Sequence, residues 1–129
     1  MRKEVSALEL RFENEKPIYI QLADWIADNI ISGQIKEEEQ IPSTTEISVT
    51  YKVNPATALK GVNLLVEKGV IYKKRGLGMF VSKGAVELLR KERQSDFFDS
   101  YVVKMLDEAK KLGLTKEEIL SMIERGLQE

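Results

Sequence analysis

The period of the hydrophobic positions changes several times along this chain, and the changes divide it into elements. In "ALELRFE", Leu8, Leu10 and Phe12 alternate with polar neighbours, the period of a short strand, and residues 1–6 before it read as a loose end. In "PIYIQLADWIADNIISG", Ile18, Leu22, Trp25, Ile26 and Ile30 recur at helical spacing. Pro17 suits the first turn of that helix, where a missing N–H costs nothing, and Gly33 suits its end. The Trp and Ile stripe reads as core.

"IPSTTEIS" contains Ser43-x-x-Glu46, a capping box that opens a short helix from Thr44 to about Tyr51. In "VNPATALKGVNLLVEKG", Asn54 is an N-cap and Pro55 a first helical residue, so a helix over 55–68 follows, closed by Gly69. "VIYKKRGLGMFV" is two β-rich runs, Val70–Lys74 and Met79–Val81, around Arg75-Gly76-Leu77-Gly78, a hairpin with a glycine-rich tip. Residues 85–112 read as helix, with a break near Ser95-Asp96 as one option. Gly113 ends it, and Thr115-x-x-Glu118 opens a final helix carrying Ile119, Leu120, Met122 and Ile123. The order of helix, short strand, helix, helix and two-stranded hairpin predicts a winged helix-turn-helix, an α+β fold that is mainly α. The winged domain takes residues 1–83 and a helical region takes 84–129. In such a fold helix 55–68 enters the major groove of DNA and the wing, 70–82, lies at the minor groove.

Composition narrows the chemistry. The chain has 129 residues with no cysteine and no histidine, so thiolate or imidazole metal sites, disulfides and His-based catalysis are excluded, and no cofactor is expected. No pair of carboxylates stands out from the solvated charges, so a carboxylate-only enzyme is the weakest reading. No apolar run approaches the roughly 20 residues of a membrane helix, and the N-terminus lacks the apolar core of a secretory signal. A cytoplasmic protein that is not an enzyme is expected.

The net charge of −1 conceals an uneven distribution. Residues 1–51 carry 5 basic and 10 acidic side chains, and residues 84–129 carry 8 and 10. Residues 52–83 carry seven cations (Lys52, Lys60, Lys68, Lys73, Lys74, Arg75 and Lys83) against the one acid Glu67. Screening confines each charge to about 10 Å at ordinary salt, so a local footprint is what matters for phosphate contact. This footprint coincides with the helix 55–68 and the hairpin. A solvated basic face, or a winged helix used as a protein-interaction module without DNA binding, is the alternative.

Within helix 55–68, Ala58, Val62, Leu65 and Val66 share the side expected to be buried. Ala56, Thr57, Lys60, Asn63 and Glu67 lie on the other. Ala56 and Thr57 are small enough for close approach of the backbone to a groove, and Lys60 and Asn63, three apart, reach out together. The helix N-termini near Thr44 and Ala56 favour phosphate oxygens. The Gly-x-Gly of the hairpin lacks the Lys-Ser/Thr of a phosphate-binding loop and opens no helix, so it reads as a tight turn.

The ordered stretches "PIYIQLADWIADNIISGQI", "IPSTTEIS", "VNPATALKG" and "LLVEKGVIYKKRGLGMFV" resemble the DNA-binding domain of the GntR family of bacterial transcription regulators, over about residues 16–82. The Asn-Pro-x-Thr heading the third helix and the short helical remainder of about 46 residues resemble its YtrA-type branch. The resemblance implies backbone-phosphate contact by Pro42-Ser43 and the first turn of that helix, Thr44 and Thr45. It implies that Asn54, Ala56, Thr57 and Lys60 face DNA and that Arg75-Gly76-x-Gly78 forms the wing tip. Lys52, Asn63 and Lys74 complete the expected DNA-binding set. Two departures stand out: Thr45 occupies a position where the family often has Arg, and Leu59 lies near a position that is often basic. Leu59 either touches a thymine methyl or packs at the edge of the core. The resemblance further implies repression of nearby genes.

The C-terminal region carries Phe97, Phe98, Tyr101, Val102, Met105, Leu106, Ile119 and Met122, more apolar surface than so short a segment buries on itself. A homodimer built on these residues is expected, which would also set two recognition helices on successive half-sites of a double-stranded operator. Folding back onto the winged domain is the other option. A small-molecule effector is open, but so short a helical region leaves little room for an enclosed pocket, and no residue names a ligand.

Overall fold

Helix α1, Ile18–Ile31, begins at Pro17, whose carbonyl accepts from the N–H groups of Ile20 and Gln21, and it ends before Gly33 at φ +85°. Its apolar stripe is buried as the spacing predicts: Leu22, Ile26 and Ile30 are wholly inaccessible, each contributing roughly 1.5–3 kcal/mol through burial. Leu10, Phe12 and residues 16–129 are described in this computed structural model. The expected strand over Leu8–Phe12 therefore lies outside the described residues except for Leu10 and Phe12, which are in no strand and are half-buried against the core.

Helix α2, Thr44–Tyr51, starts at the predicted capping box: Glu46 N–H donates to Ser43 Oγ at 3.0 Å and Ser43 N–H to Glu46 Oε1 at 3.2 Å. Lys52 takes a left-handed backbone (φ 54°, ψ 46°), and Ser48 Oγ donates to the Val53 carbonyl at 2.6 Å, so the chain turns within three residues into α3, Pro55–Glu67. Ala58, Val62 and Leu65 of α3 are buried against α1 and α2, with Ile47 between them. Gly61 sits where α3 crosses α1. A Cβ there would lie 2.8 Å from the Tyr19 carbonyl oxygen and 3.0 Å from Leu22 Cδ2, so the crossing demands glycine.

Strands β1, Ile71–Lys74, and β2, Gly78–Val81, pair antiparallel with Tyr72 opposite Phe80 and Lys74 opposite Gly78. The segment joining α1 to α2 runs along β2: Ile41 N–H donates to the Met79 carbonyl, Glu38 N–H to the Val81 carbonyl and Val81 N–H to the Glu39 carbonyl. Where a short strand is expected between the helices, Gln40 makes only an isolated antiparallel bridge to Phe80, and the sheet has two strands.

Helix α4, Ala85–Phe97, buries Ala85 and Leu89 in the same core. Two compact units divide at Arg90, and α4 from Lys91 onward belongs to the second, which ends at Glu129. The helix runs unbroken through Ser95 and Asp96. A π-helical turn, Phe98–Val102, follows and leads into α5, Val103–Lys111. Gly113 (φ +70°) closes α5, and α6, Lys116–Gln128, opens with the second predicted capping box, Thr115 with Glu118. Among the described residues of this second unit only Ala109 is buried.

Candidate nucleic-acid interface

The first unit presents two helix starts and a wing. At the start of α3, Asn54 Oδ1 accepts from the Ala56 N–H at 2.8 Å and Pro55 follows as the first helical residue. At the start of α2, Ser43 and Thr45 are exposed and Thr44 is half-buried, whereas Pro42 is buried. Any contact from Pro42-Ser43 therefore falls to Ser43.

The outer stripe of α3 emerges as the amphipathic pattern predicts. Ala56, Lys60, Asn63 and Glu67 are exposed, Thr57 is half-buried, and Val66 is half-buried at the edge of the inner face. Leu59 is 46% exposed, between Ala56 and Asn63 on that stripe. It stands on the outer surface of the helix and is not part of the buried core.

All seven cations of residues 52–83 are exposed. Two are held by aromatic rings. The Lys60 ammonium lies 4.1 Å from the centroid of the Tyr19 ring on α1. The Lys74 ammonium lies 4.9 Å from the Phe80 centroid, and Phe80 stacks on Tyr72 across the strand pair at 6.0 Å. A cation over an aromatic face is drawn to the negative charge of the ring, so these two lysines have a defined place before any ligand arrives.

The wing tip, Arg75-Gly76-Leu77, is a three-residue loop closed by the Leu77 N–H on the Lys74 carbonyl at 2.9 Å. Gly76 (φ +79°) and Gly78 (φ +117°) take backbone conformations that side chains resist. Arg75, Gly76 and Leu77 are exposed, and Gly78 is half-buried as the first residue of β2 rather than part of the turn. Gln40 Nε2 donates to the Leu77 carbonyl, bracing the tip from outside the hairpin.

The expected DNA-binding residues thus all fall in the first unit, on α2, the turn, α3 and the wing. Sequence reasoning missed Tyr19 and Gln40, which touch two of these elements from a distance in the chain. The expected dimer residues belong to the second unit. There Phe97, Phe98, Tyr101, Met105 and Met122 are exposed, and Val102, Leu106 and Ile119 are half-buried. Phe97 and Tyr101 pack ring to ring at 5.4 Å. A groove of about 410 Å³ between α5 and α6 is lined by apolar side chains such as Met105, Leu112, Ile119 and Met122, with Glu108 the acidic member. No group of carboxylates able to hold a metal ion, and no helix long and apolar enough to cross a membrane, occurs among the described residues.

Comparison with known proteins gives a consistent picture. The model of the family described as "Bacterial regulatory proteins, gntR family" matches residues 18–81. An uncharacterised HTH-type transcriptional regulator of Bacillus subtilis, YhcF, is 31% identical over 118 residues, spanning 90% of this chain and 94% of its own. A crystal structure of a GntR-family regulator from Bacteroides thetaiotaomicron superposes with a TM-score of 0.67 at 38% identity, covering 86% of this chain and 96% of that one. The DNA-binding domain of AraR, solved with its operator ORX1, superposes with a TM-score of 0.53 at 30% identity, covering 58% of this chain and 96% of that one. YtrA-type regulators are also among the relatives.

Proposed function

This chain belongs to the GntR family of bacterial regulatory proteins, a family of transcription regulators rather than enzymes, and we propose that it works in the cytoplasm as a homodimeric, sequence-specific repressor that binds double-stranded operator DNA. The observation that carries this reading is the coincidence of charge and architecture. Six exposed cations belong to the helix-turn-helix and its wing, with Lys83 just beyond, while the rest of the chain is acidic.

In this reading α3 lies in the major groove. Thr57, Asn63 and Leu59 meet base edges, and Ala56 lets the backbone approach. Ser43, Thr44 and Thr45 at the head of α2, with Asn54 and Lys52 in the turn, meet phosphate. Lys74, Arg75, Gly76 and Gly78 bring the wing to the minor groove. The DNA-binding domain of AraR, solved with its operator, is one relative that supports operator binding.

The dimer is proposed on the apolar surface of the second unit. Phe97, Phe98, Tyr101 and Met105 are exposed in a unit that buries one side chain of its own, and exposed apolar surface of this extent marks a contact site. A two-fold dimer places two α3 helices one turn of DNA apart.

The test is a gel shift on the DNA upstream of the gene that encodes the chain, with a salt titration. Binding should weaken steeply as salt rises, because phosphate contacts release counterions. Absence of a shift at low salt, on this DNA and on random duplex alike, would refute the reading. A reporter fused to that upstream DNA distinguishes repression from activation.

A further inference from the structure

Lys60 is the one cation on the exposed stripe of α3, and its ammonium does not point ahead of the helix. It lies over the ring of Tyr19, 4.1 Å from the centroid, on the neighbouring helix α1. The backbone fixes this pairing. Gly61, next to Lys60, sits so close to α1 that a Cβ would lie 2.8 Å from the Tyr19 carbonyl oxygen. The close crossing holds the backbone of Tyr19 beside that of Lys60, so the ring is within reach of the lysine.

We propose that Tyr19 is a positioning residue for Lys60, turning it sideways so that it meets a backbone phosphate flanking the groove instead of a base edge on its floor. The inference rests on the DNA-binding reading above. A free lysine on a helix surface samples many rotamers, and ordering it on binding costs entropy. A ring that already holds the ammonium removes much of that cost. The direction follows from geometry: base edges lie ahead of the stripe of Ala56, Leu59 and Asn63, and the strands of the duplex lie to its sides. A cation drawn sideways onto α1 faces a groove wall. Lysine also suits that target, being a compact point charge without the planar fork that reads guanine. Lys60 then supplies affinity without sequence preference, and base reading is left to Thr57, Leu59 and Asn63.

The experiment is a double-mutant cycle read by DNA affinity. The probes are the best-bound duplex recovered by the wild-type protein from a randomised library and an unselected duplex. Tyr19→Leu should weaken binding to both probes by about two- to five-fold, the range expected for an exposed cation–π contact. Tyr19→Phe, which keeps the ring, should bind as wild type. In a Lys60→Ala background, Tyr19→Leu should have no further effect, and Lys60→Ala itself should lower the salt slope by about one. A direct readout does not depend on how well the leucine variant folds: the Lys60 ε-methylene protons should show an upfield ring-current shift in the free wild-type protein and in Tyr19→Phe.

The proposal is overturned if Tyr19→Phe and Tyr19→Leu weaken binding equally, if the Tyr19→Leu effect persists without Lys60, if either Tyr19 variant or Lys60→Ala changes the preferred sequence, or if the ring-current shift is absent. A wild-type protein that binds neither duplex at low salt overturns the DNA reading together with this one. Normal wild-type binding with any of the four results above overturns this one alone.

Discussion

Gln40 Nε2 donates to the carbonyl of Leu77 at 2.6 Å, so a residue in the link between α1 and α2 holds the tip of the wing, 37 positions away in the chain. Residue 78 is glycine at φ +117°, and a Cβ there would displace the Gln40 amide from its place against the tip. The wing is therefore a braced hairpin, not a free one. Gln40→Ala removes the brace and leaves the Leu77 carbonyl to water. Because the bond is exposed, the loss of stability should be small, about 1 kcal/mol. Hydrogen exchange should quicken for the amides of the tip and of β2, with little change in α1 or α3. Unchanged protection across the hairpin would show that the brace carries no weight.

Lys60→Ala and Arg75→Ala test the two halves of the proposed contact surface separately. Both side chains are exposed, and neither is part of the core, so each variant should melt close to wild type. Each should also weaken DNA binding, uniformly across sequences where the contact is with phosphate, and reduce the salt slope by about one. Fluorescence anisotropy at several salt concentrations measures both quantities. Wild-type affinity in both variants would mean that the contact surface lies elsewhere.

These contacts divide by how local they are, and the same division sets what the sequence revealed. The caps at Ser43, Asn54 and Thr115 are each made within three residues, and each was legible as a spacing of residue types. The inner face of α3 was legible because one helix face is a matter of period. Tyr19 under Lys60 and Gln40 under Leu77 were not, since no local pattern says which distant side chain a fold will set beside another. Gly61 does carry a local trace of its role. A glycine inside an amphipathic helix costs roughly 0.5–1 kcal/mol relative to alanine, so its presence signals a close approach. The π-helical turn at Phe98–Val102 had no such trace, and the break considered at Ser95-Asp96 is absent.

Gly61 itself can be tested against helix propensity. On propensity alone, Gly61→Ala should stabilise α3 by roughly 1 kcal/mol. The contact at 2.8 Å is with backbone, which has no flexible end to move aside, and Leu22 Cδ2 stands at 3.0 Å. Overpacking of this kind typically costs 1–3 kcal/mol, so the variant should be less stable than wild type in urea unfolding, and Gly61→Val markedly less so. A more stable Gly61→Ala would mean that α1 and α3 separate more easily than their packing suggests.

The start of α4 depends on a carboxylate from the link between α1 and α2. Glu37 accepts from the Gly84 N–H at 2.9 Å and from the Val86 N–H at 3.1 Å. The bond from Gly84, then that from Val86, hold its pKa below the usual carboxylate value; a small desolvation effect opposes them and Lys83 assists. The ionised form is thus favoured in the folded state. Its contribution to stability is present above the unfolded carboxylate pKa and is lost as pH falls through the lower folded one. Glu37→Gln keeps an acceptor but no charge. It should be less stable than wild type at neutral pH, and the gap should close in acid. Thermal melts of both proteins across that range measure the gap. A gap that is constant with pH would exclude the charge as its cause.

The last prediction concerns the second unit. Phe98 and Tyr101, both within the π-helical turn, are 60% and 66% exposed, and in their unit only Ala109 is buried. A unit with so little interior of its own exposes apolar surface, and in the proposed dimer a second copy of the same helices covers it. Charges at both positions would have to be desolvated in such an interface, at a cost no neighbouring group offsets. The double variant Phe98→Asp/Tyr101→Asp should therefore be monomeric by light scattering at micromolar concentration, where the proposal expects the wild type to be dimeric. Its winged unit, which has a separate core, should keep its helical signal. Operator binding should fall by more than tenfold, because each half-site is then held alone and the gain from linking two recognition helices is lost. An intact dimer would remove these residues from the interface. A monomeric variant with wild-type operator affinity would show that one copy suffices to hold the DNA.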